Sequence, residues 1–256
     1  MLKMNKIFFI LIITISIQAQ QKVRVTYETI RTFPDNFFNR VPEDTREEFK
    51  LNFSKPYKSE LISDNDASVF KSINSKAIVV PSTQQSTKTN INMGLSIPAA
   101  NIWYKKNNIN NKIIKLVELD KKKYYIETEI VRPKLILAPG SLKIDRFNCS
   151  YAYAISTKNV SDTIKYWYTT EIPLDDSPTN ESGFPGLVLK TQSKNATSYA
   201  VKIEFLEDVV LDELNNDIGF IKPEDLQKLQ IEMMKPSTTI DSEGNKKVKN
   251  VIKMGE

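Results

Sequence analysis

Asn148-Cys149-Ser150-Tyr151-Ala152-Tyr153-Ala154-Ile155 and, a little further on, Thr163-Ile164-Lys165-Tyr166-Trp167-Tyr168-Thr169 repeat their character every second residue. A period of two is the mark of a β-strand, whose successive side chains point to opposite faces. In the first run Cys149, Tyr151, Tyr153 and Ile155 share a face, and Ser150, Ala152 and Ala154 make a small-residue face. In the second, Ile164, Tyr166, Tyr168 and Ile172 fall together, with Trp167 opposite them beside Lys165, Thr169 and Glu171. Working outward, Val23, Val25 and Tyr27 alternate with polar residues. Tyr124, Ile126, Thr128 and Ile130 oppose Glu127 and Glu129, and Val201, Ile203 and Phe205 oppose Lys202 and Glu204. Polar, turn-forming stretches such as Lys106-Asn107-Asn108 and Asp120-Lys121-Lys122 separate the runs, and helices do not alternate with them. The expected fold is mainly β: an antiparallel, curved sheet, open barrel or sandwich.

One convincing helix is expected. Pro223, Glu224 and Asp225 open it, and Leu226, Leu229, Ile231 and Met233/Met234 give an apolar stripe before Pro236. A curved sheet wrapped over this C-terminal amphipathic helix would bury the stripe and leave an apolar groove. Glu43 to Phe49 is a weaker helical candidate. Residues 81–100, rich in Ser, Thr, Gln and Asn, read as a flexible loop inside a single domain spanning 20–235. Residues 236–256 read as a basic tail or ragged hairpin.

The chain of 256 residues has no histidine, one cysteine and seven glycines. Without His, a Ser-His-Asp or Cys-His centre and any His-ligated metal are excluded from within the chain. A single Cys excludes an internal disulfide and Cys-cluster metal sites. The net charge is +5 and the pI about 9.0. The basic clusters Lys105-Lys106 and Lys121-Lys122-Lys123 sit at strand ends and read as solvated turns, so no nucleic-acid partner is expected. Lys3 and Lys6 precede an apolar run from Ile7 to Ile17, and small Ala19 follows. Residues 1–19 therefore read as a signal peptide. The expected destination is the periplasm, the outer membrane or the exterior, with no transmembrane span after its removal.

Two of the seven glycines meet in Gly183-Phe184-Pro185-Gly186-Leu187-Val188-Leu189. Pro185 fixes its own φ, and a Gly after Pro permits the positive φ of a type II turn. Upstream lies Trp167-Tyr168-Thr169-Thr170-Glu171-Ile172-Pro173. Together, WYTTEIP and GFPGLVL resemble the GLPGLI family of exported Bacteroidetes proteins. Asn148-Cys149 with Ala152 and Ala154, Val25 with Tyr27-Glu28, and Ser68-Val69-Phe70 add fainter likeness. Ser177-Pro178 departs from the family's Gly-Pro, and Phe184 and Val188 replace Leu and Ile. The resemblance implies an exported, mainly β envelope protein and carries no biochemical activity with it.

It also nominates Trp167, Tyr168, Glu171, Pro173, Gly183, Phe184, Pro185, Gly186 and Leu187, either as a binding surface or as determinants of the fold. Asp175, Asp176 and Glu181 read as a solvated acidic loop, since their spacing matches no calcium loop or glycosidase pair. Cys149 is expected to be a buried, inert thiol. No cofactor, metal or catalytic residue is expected. The resulting reading is a non-enzymatic binding or accessory protein for an apolar ligand or an envelope protein complex. The alternative is a hydrolase working through carboxylates or a Ser-Lys pair.

Overall fold

In β1, Lys22–Arg31, the sequence alternation becomes burial: Val23, Val25, Tyr27 and Thr29 point inward while Arg24, Thr26 and Glu28 stay half-exposed. The computed structural model describes residues 22–40, 43–73, 78–80, 95–97, 101–155, 162–234, 237–240 and 246–249. The expected leader, residues 1–19, lies outside them.

The other long strands are β2 (Tyr57–Ser63), β3 (Ala67–Ile73), β6 (Trp103–Asn107), β7 (Lys112–Leu119), β8 (Lys122–Glu129), β9 (Ile136–Ile144), β10 (Phe147–Ile155), β11 (Thr163–Thr169), β12 (Leu187–Gln192) and β13 (Ala196–Leu206). With β1 they form one 11-stranded sheet in the order β8-β7-β6-β3-β2-β1-β13-β12-β11-β10-β9. All the pairings within it are antiparallel. The sheet is not closed into a barrel, because β8 and β9 stay at its two edges. Tight turns set the hairpins: Asp120 (φ 49°) and Lys121 (φ 65°) supply the paired positive φ that a two-residue β7–β8 connection requires. Lys121, Lys122 and Lys123 are exposed there, as solvated turns should be.

The main core joins Val23, Val25 and Tyr27 of β1 to Leu61, Phe70, Tyr104 and Ile113 on the β2–β7 side. It continues through Cys149, Leu187, Leu189 and the connection residues Ile172 and Leu174. Each aliphatic side chain so buried contributes about 1.5–3 kcal/mol. A second cluster collects Ala152, Ala154, Tyr166, Tyr168, Phe184 and Val188. The faces of β10 expected from its alternation are split by a register shift between Ser150 and Tyr151. Before it Phe147 and Cys149 are buried and Ser150 exposed, and after it Ala152 and Ala154 are buried while Tyr151 and Tyr153 stay half-exposed and Ile155 is exposed. Ala152 pairs with Tyr166, leaving the tyrosine ring to fill the space.

Helical content differs from the sequence expectation in two ways. The weak candidate is a full helix, α1 (Glu43–Phe53), which runs one turn beyond Phe49. Phe49 and Phe53, four residues apart, pack with tilted rings 4.2 Å apart and join Phe33, Phe37 and Phe38 in a satellite cluster. The C-terminal helix, α2 (Pro223–Met234), forms where its start and stop signals put it. It does not lie in the core: Leu226 and Leu229 are half-exposed and Ile231 is 52% exposed. The interior it was expected to fill is occupied by the β11–β12 connection. Two short hairpins complete the chain. β4 (Ile78–Val80) pairs with β5 (Leu95–Ile97), so part of the expected 81–100 loop is strand. In the expected tail, β14 (Ser237–Ile240) pairs with β15 (Lys246–Lys249).

Candidate functional site

The β11–β12 connection, residues 170–186, begins as an extended run in which every second residue points inward: Ile172, Leu174 and Asp176 are buried, Glu171 and Pro173 exposed. Asp176 thus takes the place in the alternation where a third apolar residue would stand, and it is 1% exposed. Its partner is Lys106 on β6, 0% exposed, with Nζ 2.5 Å from Asp176 Oδ1. Lys106 also donates to the Glu181 carbonyl at 3.0 Å and to Ser182 Oγ at 3.3 Å, which satisfies the three N–H bonds of its ammonium. Asp176 accepts further bonds from Ser63 Oγ (2.8 Å) and the Ser177 amide (3.0 Å). Cross-strand pairing puts Ser63 beside Ser68 and Ser68 beside Lys106. Ser68 Oγ is buried without a hydrogen-bond partner.

Tyrosines close the cluster. Tyr104, stacked on Phe70 at 5.0 Å, donates to the Thr179 carbonyl. Tyr27 donates to the Val188 carbonyl at 2.7 Å, and Tyr166 to Glu181 Oε2 at 2.7 Å. Burial, reinforced by the negative charge of Asp176, holds the Tyr27 and Tyr104 phenols well above the usual tyrosine range. Burial and then Glu181 do the same for Tyr166. The expectations for Lys106 and for the acids are therefore corrected. Lys106 and Asp176 form a buried ion pair, and neither is solvated. Glu181 is half-buried on Tyr166. Chemically, Ser, Lys and carboxylate converge as the hydrolase alternative requires. Yet this lysine is paired with a carboxylate and buried with it.

The GFPG segment is built into the same device. Asp175 Oδ1 accepts the amides of Gly183 (2.6 Å) and Phe184 (2.8 Å), clamping the turn from outside. The positive φ falls on Gly183 (+100°), before the proline and not after it. Gly186 is needed for a different reason: a Cβ there would stand 2.1 Å from the Thr169 carbonyl oxygen. Phe184 is buried against Tyr166 at 4.9 Å, Leu187 is buried in the main core, and Pro185 is exposed. Pro173 and Glu171 are exposed, the latter accepting the Asn148 amide at 2.9 Å, and Tyr168 is buried beside Val188. Of the nine nominated residues Tyr168, Phe184, Gly186 and Leu187 are buried and anchor the connection, whereas Glu171, Pro173, Gly183 and Pro185 are exposed.

Trp167 is the ninth. It is half-exposed and stands between Tyr151 of β10 (5.3 Å) and Lys190 of β12, whose ammonium lies 4.5 Å from its ring. Register continues this row through Tyr199 and Glu28 to Lys58, one directly paired residue per strand across β10, β11, β12, β13, β1 and β2. Tyr199 donates to Glu28 at 3.1 Å, and Lys58 is 3.5 Å from Glu28. All six are half-exposed or exposed. Elsewhere, a groove of about 120 Å³ lies between Lys105, Asn107, Asn110, Lys112, Glu127 and Leu214. Pockets for small ligands run to about 300–1,000 Å³. Cys149 is buried, and burial pushes its thiol up to about 11, with nearby Glu171 adding to the shift against a backbone hydrogen bond at Ile144. Among the described residues no three His, Cys, Asp or Glu side chains are placed to hold a metal. Among them, too, no helix is long and apolar enough to cross a membrane.

Sequence reasoning missed Lys106, Asp175 and Asp176. A signal for two of them was present: Lys106 follows Tyr104 by two, and Asp176 follows Leu174 by two, so each sits on its segment's apolar face.

Residues 51–226 match the family described as N-glycanase peptide, N-terminal domain, which is more than half of the chain. Two crystal structures of PNGF-II, in space groups C2 and P21, share the fold. Their TM-scores are 0.53 and 0.54 and their identities 13% and 14%, over 86% of this chain. The chain spans 35% of the length of those structures. No curated protein matches it significantly. The chain belongs to the N-glycanase peptide N-terminal domain family.

Proposed function

We propose that this member of the N-glycanase peptide N-terminal domain family is an exported, non-enzymatic recognition domain that holds a glycosylated partner on the open face of β10–β13. The observation that carries the reading is a contrast. The polar cluster able to do chemistry is sealed around Lys106 and Asp176, while the Tyr151–Trp167–Lys190 row lies at the surface. Aromatic residues fixed by cross-strand pairing offer contact area at little entropic cost, which suits them to binding. The family name supplies the chemistry of the partner, an N-glycan carrier, and the leader-like residues 1–19 supply export. The likeness of WYTTEIP and GFPGLVL to the exported GLPGLI family supports the same address. An apolar carrier is disfavoured, because the expected groove under α2 is filled by residues 170–186. A role as an accessory subunit of an envelope complex is compatible with recognition of a glycosylated protein.

The test is surface plasmon resonance against a glycoprotein bearing a single N-glycan and against its unglycosylated counterpart. Binding is expected only to the glycosylated form and should fall at least tenfold in Trp167→Ala. Equal binding to both forms refutes the proposal. So does hydrolysis of the glycan that disappears on replacing Ser63, Ser68 or Ser182.

A further inference from the structure

The row through Trp167 has a neighbour on the same face. Tyr153 pairs with Lys165, and Lys165 with Gln192, immediately beside the pairs Tyr151–Trp167 and Trp167–Lys190. Directly paired residues share a face of the sheet, so the aromatic surface is bordered by Lys165 and Lys190. On adjacent strands in a diagonal relation, their side chains leave the sheet about 7–8 Å apart. The only acid of the paired rows is Glu28, and it is taken up by Lys58 and by the Tyr199 hydroxyl. Among the described residues Lys165 and Lys190 have no carboxylate partner.

From this imbalance we infer that the ligand of the β10–β13 face is a negatively charged saccharide, whose acid groups meet Lys165 and Lys190 while its rings rest along Tyr153, Tyr151 and Trp167. This deepens the proposed function and rests on it. Lys190 is the contact that decides affinity. In the free protein its ammonium rests on the Trp167 ring, and an exposed cation–π contact is weaker than a charge-assisted hydrogen bond to a carboxylate or sulfate. An acid group therefore draws the lysine off the ring, and the indole reports it. A neutral sugar has nothing to offer that ammonium and has to compete with it for the ring.

Trp103 and Trp167 are the chain's two tryptophans, so Trp103→Phe leaves Trp167 as sole reporter. The probes are tetragalacturonic acid, its methyl ester and a sulfated oligosaccharide of equal length, followed by fluorescence and by calorimetry. Expected are binding of at least one acidic oligomer, at least tenfold weaker binding of the neutral ester, and affinity that falls as NaCl rises. Lys165→Met with Lys190→Met should remove the preference for the acid and leave the fold intact by circular dichroism. Equal binding of acid and ester overturns the inference while leaving glycan recognition standing. So does binding of the glycoprotein without binding of either acidic oligomer. If neither glycoprotein nor oligomer binds, both fall. Equal affinity for an oligonucleotide or a polyglutamate peptide also overturns it, since the face would then read charge alone.

Discussion

Replacing Lys106 by Met strands a carboxylate in the core. At the observed 2.5 Å separation, and with an effective dielectric of about 20, the Coulomb attraction between Lys106 and Asp176 is about 7 kcal/mol. Most of that offsets the cost of taking both charges out of water, so the pair's net worth is much smaller than the attraction. Removing one partner exposes the uncompensated cost. Asp176 would keep only Ser63 Oγ and the Ser177 amide, and Lys106→Met should lose about 3–5 kcal/mol. Asp176→Leu strands the ammonium on the Glu181 carbonyl and Ser182 Oγ and should cost a similar amount. The double variant, with two apolar side chains meeting in place of two charges, should lie within about 2 kcal/mol of the native protein. Urea denaturation followed by far-ultraviolet circular dichroism reads all four corners of the cycle, at unchanged m-value. Should a single variant leave less than marginal stability, its lost cooperative transition, regained in the double variant, gives the same answer. Additive losses would refute the reasoning, and so would a loss under about 1 kcal/mol for Lys106→Met.

The two motif glycines should separate cleanly. Gly186→Ala drives a Cβ into the Thr169 backbone and should abolish the folded transition, whereas Gly183→Ala meets only the Arg132 side chain at 3.6 Å and should lower stability by about 1–2 kcal/mol for its positive φ. Thermal unfolding distinguishes them, and equal effects would contradict the geometry. Cys149, with its thiol raised to about 11, should react with a thiol reagent at pH 8 only as fast as the protein unfolds. Because its folded value is raised, it contributes stability that is present below the ordinary thiol range and is lost as pH climbs toward 11. Tyr27, Tyr104 and Tyr166 should stay protonated at a pH that ionises an ordinary phenol, and should titrate only with alkaline unfolding. Difference absorbance at high pH measures this, and a single step for all ten tyrosines would refute it.

Glu171 and Pro173 show why a motif is a poor guide to a surface. Read on the page, WYTTEIP and GFPGLVL offer aromatic, acidic and turn residues that suit a binding loop equally well. In the folded chain Tyr168, Phe184 and Leu187 are buried, and Asp175, which lies outside both stretches, holds the turn together. Trp167 kept an ambiguous place in the sequence because its strand face carries Lys165 and Glu171 together with Thr169. Register across β12 brings Lys190 onto its ring, and the indole also packs against the main core.

The sequence by itself determined the antiparallel β class, since period-two alternation is a local property that each strand carries alone. It located α2 from its proline, its acids and its stop, and it singled out GFPG because glycine is so scarce in this chain. Only the tertiary structure decided what fills the inside of the sheet. Lys106 and Asp176 are 70 residues apart, and nothing local to either says that a charge will meet its opposite in the core. The same contact put residues 170–186 where α2 was expected, leaving the helix half-exposed outside. Burial of a charge depends on its partner, and partners are brought together by strand order, a non-local outcome of folding.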